Sequence, residues 1–206
     1  MASDRGGAEA LDAGELALAN RAMERYADGD DGAFATVFDV IGPRLLRYLR
    51  RLSGNDDRAR DLLQEALLRL HQARGAFREG SAVLPWSYTI ARNVFLDSQR
   101  TRKRARTTFV AADPEQLDEP SAAAEAESAV AAKETARAVE RALAAMSEAR
   151  RDAFILIRFE GLSLADAAEV VGTSENAVKL RAFQAYEAIR AELERTGMAR
   201  ARVKKT

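Results

Sequence analysis

The sequence predicts an all-α protein: two small helical domains joined by a flexible acidic linker, the C-terminal one a helix-turn-helix. Three observations predict it. Ala, Leu, Arg and Glu, strong helix formers, are abundant, while only 4 prolines and 12 glycines punctuate 206 residues. Apolar residues recur three and four apart, the helical spacing. Residues 107–125, TTFVAADPEQLDEPSAAAE, hold two of the four prolines and have no such period, which reads as a linker. The expected division is a disordered N-terminus over 1–14, a first domain over 15–106, the linker, a second domain over 126–195 and a disordered basic tail over 196–206.

In the first domain, Asp30 and Asp31 can cap a helix carrying Phe34, Val37, Phe38 and Ile41. Pro43 suits the first turn of a second helix, which Gly54 ends. Asn55 or Asp56 caps a third. There Ala59, Leu62, Leu63, Ala66, Leu67 and Leu70 make one apolar stripe facing a core. The opposite face carries Asp61, Gln64, Glu65, Leu68 and His71, with Leu68 about 180° from Ala59. An apolar residue centred in an acidic outer face suggests a partner surface, although a single exposed leucine is ordinary. After a loop over 75–84, Pro85 opens a fourth helix. In it Thr89, Arg92, Asn93, Arg100 and Lys103 form a polar-to-basic stripe suited to base edges and phosphates. Trp86, in its first turn, reads equally as a core residue or as a stacking surface for an unpaired base.

In the second domain Ser147 caps a helix that Gly161 ends, Ser163 caps a short one, Gly172 makes the turn, and Ser174 caps a last long helix. Two helices joined by a tight glycine turn read as a helix-turn-helix. Ala168, four residues before Gly172, and Val178, six after it, supply the small and plugging residues of a close crossing. If Val178, Ala182, Ala185, Ile189 and Leu193 are buried, then Glu175, Asn176, Lys179, Leu180, Phe183 and Gln184 lie on or beside the outer face. There a recognition helix meets the major groove. Leu180 and Phe183 suit thymine methyls, or equally a protein partner.

The formal net charge of zero resolves into unequal parts. Residues 44–106 carry fifteen Lys/Arg against six acids, while 1–43 carry three against nine and 107–135 one against seven. A basic block ending in RTRKRAR between acidic segments fits a polyanion-binding face. The absence of cysteine excludes a disulfide framework, a thiolate zinc site and a cysteine nucleophile, and His71 is the sole histidine. No enzyme activity, cofactor, metal or small-molecule substrate is expected. The acidic N-terminus lacks a signal-peptide pattern and the longest apolar run is too short to span a bilayer, so a cytoplasmic location is expected.

The ordered set DLLQEALLRL, then PWSYTIARNVFLD with its basic end, then MSEARRDAFILIRFEGLSLADAAEVVGTSENAVKLRAFQAYEAIR, closely resembles the extracytoplasmic-function (ECF) sigma factors. These are the two-domain alternative sigma factors of bacterial RNA polymerase, and the resemblance covers about residues 31–195. It implies that Asp61, Gln64 and Glu65, in a DLVQE-like motif flanked by Leu68 and Arg69, dock on the β′ clamp helices of core polymerase. Trp86, Ile90, Ala91, Asn93 and Asp97 match the family's W-L-x-x-I-A-x-N-x-x-x-D pattern. With Thr89, Arg92, Arg100 and Lys103 they would melt and read the minus-ten element, and the loop from Phe77 to Leu84 would hold a flipped base. Ser174, Glu175, Asn176, Lys179, Leu180, Arg181, Phe183 and Gln184 would read the minus-thirty-five element, with the β flap as a further polymerase contact. The acidic linker would pass through channels that otherwise hold nucleic acid. An anti-sigma factor is an implied partner, of a kind that, when membrane-anchored, holds its sigma factor at the inner membrane. Ser87, Ala182, Gln184 and Tyr186 depart from the family pattern. Two other readings of the residues are a sigma mimic that titrates an anti-sigma factor and a stand-alone helix-turn-helix repressor.

Overall fold

A computed structural model describes residues 13–108 and 128–196, so most of the expected linker and of the two chain ends lies outside the described residues. The described part contains eight α-helices and short turns and loops, with no strand among the described residues. The first, α1 (Ala13–Ala27), is not among the elements assigned above. Its signal is nonetheless present: Leu16, Ala19, Met23 and Tyr26 follow the three-four spacing, and the last three are buried.

Helix α2 (Phe34–Ser53) corrects two expectations. Neither Asp30 nor Asp31 caps it. A short 3₁₀ turn, Asp31–Ala33, intervenes, and the Asp30 carboxylate is taken by Arg25. Nor does Pro43 start a new helix; it lies inside α2. Proline disfavours a helical predecessor partly through that residue's Cβ, and Gly42 has none. The apolar stripe also runs across the proline without a break. Val37, Ile41, Leu45, Tyr48, Leu49 and Leu52 are all buried, so burial holds one helix where local propensity favours two. Gly54 ends it at φ +69°, its N–H donating to the Arg50 carbonyl at 2.8 Å.

Helix α3 (Asp56–Ala73) is capped by Asn55, whose side-chain oxygen accepts from the Arg58 N–H at 2.8 Å. Helix α4 (Val83–Thr108) starts two residues before Pro85, which its first turn tolerates because the missing N–H has no intrahelical partner there. The second half consists of α5 (Ser128–Ala145), α6 (Glu148–Phe154), α7 (Leu164–Val171) and α8 (Glu175–Arg195). Ser163 accepts from the Asp166 N–H at 3.0 Å and Ser174 from the Ala177 N–H at 3.3 Å, as caps do. Ser147 stands at the N-cap of α6 without a side-chain cap bond.

After Phe154 the chain widens into a π-helical turn, Ile155–Phe159. The Glu160 N–H reaches the Ile155 carbonyl at 3.0 Å, and the Leu162 N–H reaches Leu156 at 3.0 Å. Three consecutive buried residues explain its position. Phe154 packs with Ala142, Leu143, Ala185 and Ile189, while Ile155 and Leu156 belong to the main core on the other side. A segment apolar all round must be buried all round.

That main core is continuous through both halves. It joins Tyr88, Val94 and Phe95 of α4 to Leu156, Leu162, Ala167 and Val170, with α4 lying against α7. Burying such side chains stabilises the fold by about 1.5–3 kcal/mol each.

Candidate nucleic-acid and partner interfaces

With Ala59, Leu62, Ala66 and Leu70 turned into the core, α3 presents Asp61, Gln64, Glu65 and Leu68 outward. Leu68 is 50% exposed, and it is not isolated. Together with Tyr26, Phe34, Phe38, Leu67 and His71 it lines an open apolar groove between α1, α2 and α3. Phe38, 40% exposed, is a groove residue that the α3 pattern does not point to; its own i+4 spacing from Phe34 is the signal. His71 forms part of the wall, its Nδ1 hydrogen-bonded with the Tyr26 hydroxyl. Arg69 lies half-buried at the edge of this face. It donates to Glu65 at 2.9 Å along α3 and to Asp97 at 2.9 Å across to α4.

On α4, Trp86 is partly buried and meets Phe77 edge-on, with ring centroids 5.2 Å apart. Phe77 itself is 7% exposed, so the ring expected in an open base-holding loop sits as a support behind Trp86. The Thr89 hydroxyl donates to the Pro85 carbonyl at 2.9 Å. Asn93, Arg100 and Lys103 are exposed. Asp97 lies between Arg69 and Arg100, the latter at 3.2 Å, and the Arg69 hydrogen bond above all holds its carboxyl below the usual aspartate range. Arg92 leaves this row: its Nε donates to Asp152 Oδ2 at 2.7 Å. Ser87, the departure noted above, is fully buried and donates to the Val83 carbonyl at 2.6 Å, so its hydroxyl is satisfied.

Helix α8 buries Val178, Ala185 and Ile189 and exposes Glu175, Asn176, Lys179, Leu180 and Phe183 near its start. Arg181 and Gln184 are half-buried beside them, and the Ser174 hydroxyl is engaged as the cap. Leu180, Phe183 and Tyr186, each more than half exposed, continue as an apolar row at three-residue spacing. Tyr186 extends the row beyond the residues that sequence singled out.

Two family descriptions match the chain: "Sigma-70 region 2" over residues 37–105 and "Sigma-70, region 4" over residues 136–189. The ECF RNA polymerase sigma factor SigF of Caulobacter vibrioides is 31% identical over 181 residues, 84% of this chain and 92% of that protein. The chain belongs to the ECF sigma factor family. The RNA polymerase sigma factor CarQ of Myxococcus xanthus is similar to this one, 32% identical over 82% of this chain and 93% of CarQ. So is the ECF sigma factor SigM of Mycobacterium tuberculosis, 33% identical over 79% of this chain and 78% of its own. As an alternative sigma factor the protein directs RNA polymerase to promoters. Among solved structures, the sigma factor RpoE of Bartonella quintana, in complex with the anti-sigma factor NepR, matches with a TM-score of 0.68. It shares 27% identity, over 78% of this chain and 96% of that one. CnrH, in complex with the cytosolic domain of CnrY, has the same fold with a TM-score of 0.65 at 22% identity, over 86% of this chain and 98% of that one. Among the described residues, no helix of this sigma factor is long and apolar enough to cross a membrane.

Proposed function

We propose that this sigma factor docks on core polymerase through the outer face of α3, melts and reads the minus-ten element with α4, and reads the minus-thirty-five element with α8. The observation that carries the docking assignment is the exposed Leu68, which shares an apolar groove with Phe38 and lies on the same outer face of α3 as the exposed Asp61, Gln64 and Glu65, on a helix whose inner stripe is already buried. An apolar patch with a polar rim is what a protein partner covers. Arg69 and Asp97 set the angle between that face and α4. Trp86, backed by Phe77, offers the stacking surface for an unpaired base, and Thr89, Asn93, Arg100 and Lys103 supply donors to strand and phosphate, which Arg92 joins only when released from Asp152. Ser174 caps the start of α8; Glu175, Asn176, Lys179, Leu180, Arg181, Phe183 and Gln184 are the residues it brings to the major groove.

The protein carries no chemistry of its own: polymerase makes the bonds, and melting is driven by the capture of flipped bases. The functional units are residues 15–106 and 126–195. The protein acts in the cytoplasm, and an anti-sigma factor covering its exposed apolar rows controls it. Run-off transcription with purified core polymerase and genomic promoter fragments tests the whole reading. Promoter-specific transcripts that need both components are expected. Polymerase binding without transcripts points to a mimic, and operator binding without polymerase to a repressor; either result overturns it.

A further inference from the structure

Helix α1 reaches across to the loop that leads into α4. Asn20 and Glu24 stand four residues apart on it, so they share one face of the helix. Asn20 Oδ1 accepts from the Val83 N–H at 2.9 Å, and Glu24 Oε1 accepts from the Gly80 N–H at 2.9 Å. These bonds link residues 63 and 56 positions apart. The loop itself turns tightly. The Ser81 N–H donates to the Arg78 carbonyl at 3.0 Å, with Gly80 supplying a left-handed φ of +75° at the third position of the turn.

Each bond answers a donor that the loop does not satisfy itself. Val83 opens α4, and the first N–H groups of a helix have no intrahelical partner. Asn20 therefore does from another helix what a cap does from the preceding residue. Gly80 is exposed, and water would otherwise take its N–H; a carboxylate held there instead fixes where the turn lies. One acceptor is charged and the other neutral, so the chemistry they share is an acceptor oxygen, not a charge. The two ends of the loop are anchored as well. Phe77 packs edge-on against Trp86, and Val83 is fully buried. With the ends anchored and the turn tied to α1, Arg78, Glu79, Gly80 and Ala82 form an exposed tip. A loop already held in its receiving shape loses little freedom when a ligand arrives, and so binds it more tightly than a slack one.

We propose that Asn20 and Glu24 are positioning residues for promoter melting: from α1 they hold the loop from Phe77 to Val83 in the shape that receives an unpaired base next to Trp86. Neither side chain meets the base; both act through backbone N–H groups. The proposal rests on the reading of this loop and α4 as the place where a minus-ten base is captured. It gives α1 a part in promoter recognition that its own surface does not suggest.

The test is an affinity cycle on the full holoenzyme, using a promoter fragment that the run-off assay identifies. An abasic nucleotide is placed in turn at each non-template position of the minus-ten element. The unaltered protein should form open complexes less well when the captured base is the one removed. Asn20→Ala combined with Glu24→Ala should weaken open-complex formation on the intact promoter by about tenfold, and by much less on the fragment that lacks that base. Asn20→Asp combined with Glu24→Gln keeps an acceptor oxygen at both places and should recover most of the loss. Equal losses on the intact and abasic fragments, no loss at all, or no recovery by the acceptor-keeping pair overturns the positioning role. If no abasic position affects the unaltered protein, no base is captured; the reading of the loop then fails, and the proposal with it. Hydrogen exchange in the free full chain gives a second measure that needs no DNA. The Gly80 and Val83 amides should exchange slowly, and Glu24→Ala and Asn20→Ala should each speed their own partner amide by about tenfold. Exchange of both amides at unprotected rates in the unaltered chain overturns the proposal whether or not the double variant folds.

Discussion

Arg69 of α3 and Asp97 of α4 are joined at 2.9 Å, while the same guanidinium holds Glu65 at 2.9 Å. One side chain thus couples the proposed polymerase face to the proposed promoter helix. Asp97 is held low chiefly by its hydrogen bond from Arg69, with Arg100 adding to it. A depressed carboxylate favours the folded pairing above the ordinary aspartate range and loses that contribution as pH falls through its lowered midpoint. The side-chain carboxyl ¹³C signal of Asp97 should therefore titrate below ordinary aspartate, and Arg69→Ala should move it back up. An ordinary midpoint in the unaltered protein would contradict the coupling.

Glu65→Lys should abolish co-purification with core polymerase. Glu65 is exposed, so the thermal unfolding of the variant should correspond to a stability change within about 0.5 kcal/mol. Retained polymerase binding would remove Glu65 from the interface, and loss of fold would make the result one of stability instead.

Lys179 is exposed in the second turn of α8. If it meets a phosphate, Lys179→Ala should weaken holoenzyme binding to all promoters alike and lower the salt slope by about one. A titration of affinity against salt concentration checks this; a parallel slope would assign Lys179 no phosphate.

Tyr48 is fully buried, its ring edge-on to Tyr88 at 5.1 Å, and its hydroxyl finds no hydrogen-bond partner among the described residues. Tyr48→Phe keeps the ring and removes the unsatisfied group. It should be neutral or stabilising by up to about 1 kcal/mol in urea unfolding, whereas loss of more than that amount would reveal a hidden partner.

The parts of this fold that were legible in the sequence are those set by neighbours in the chain. Asn55, Ser163 and Ser174 act on backbone N–H groups three residues ahead, and Gly54 and Gly172 adopt the left-handed backbone that ends a helix. Such signals survive in a sequence because nothing distant is needed to read them. Pro43 misled for the complementary reason. Its local rule is sound, but Gly42 and a buried stripe on both sides outweigh it. Within the candidate site, the outward turn of Leu68 follows from helical periodicity, whereas the groove around it needs Tyr26 and Phe38 from other helices. Asp152 and Glu160 were wholly illegible. A carboxylate reads as a solvent residue until a partner is found for it, and Arg92 and Arg51 lie 60 and 109 positions away.

The π turn at Ile155–Phe159 takes up one residue more than regular α-helical winding would hold. Each residue added to or removed from an α-helix rotates everything beyond it by about 100°. A wide turn absorbs that offset, so deleting one residue inside it would return the segment to α-helical winding with Glu160 and α7 still in phase. The cost of such a deletion is the burial of the residue removed, whereas the same deletion within α4 would carry its offset into everything that follows.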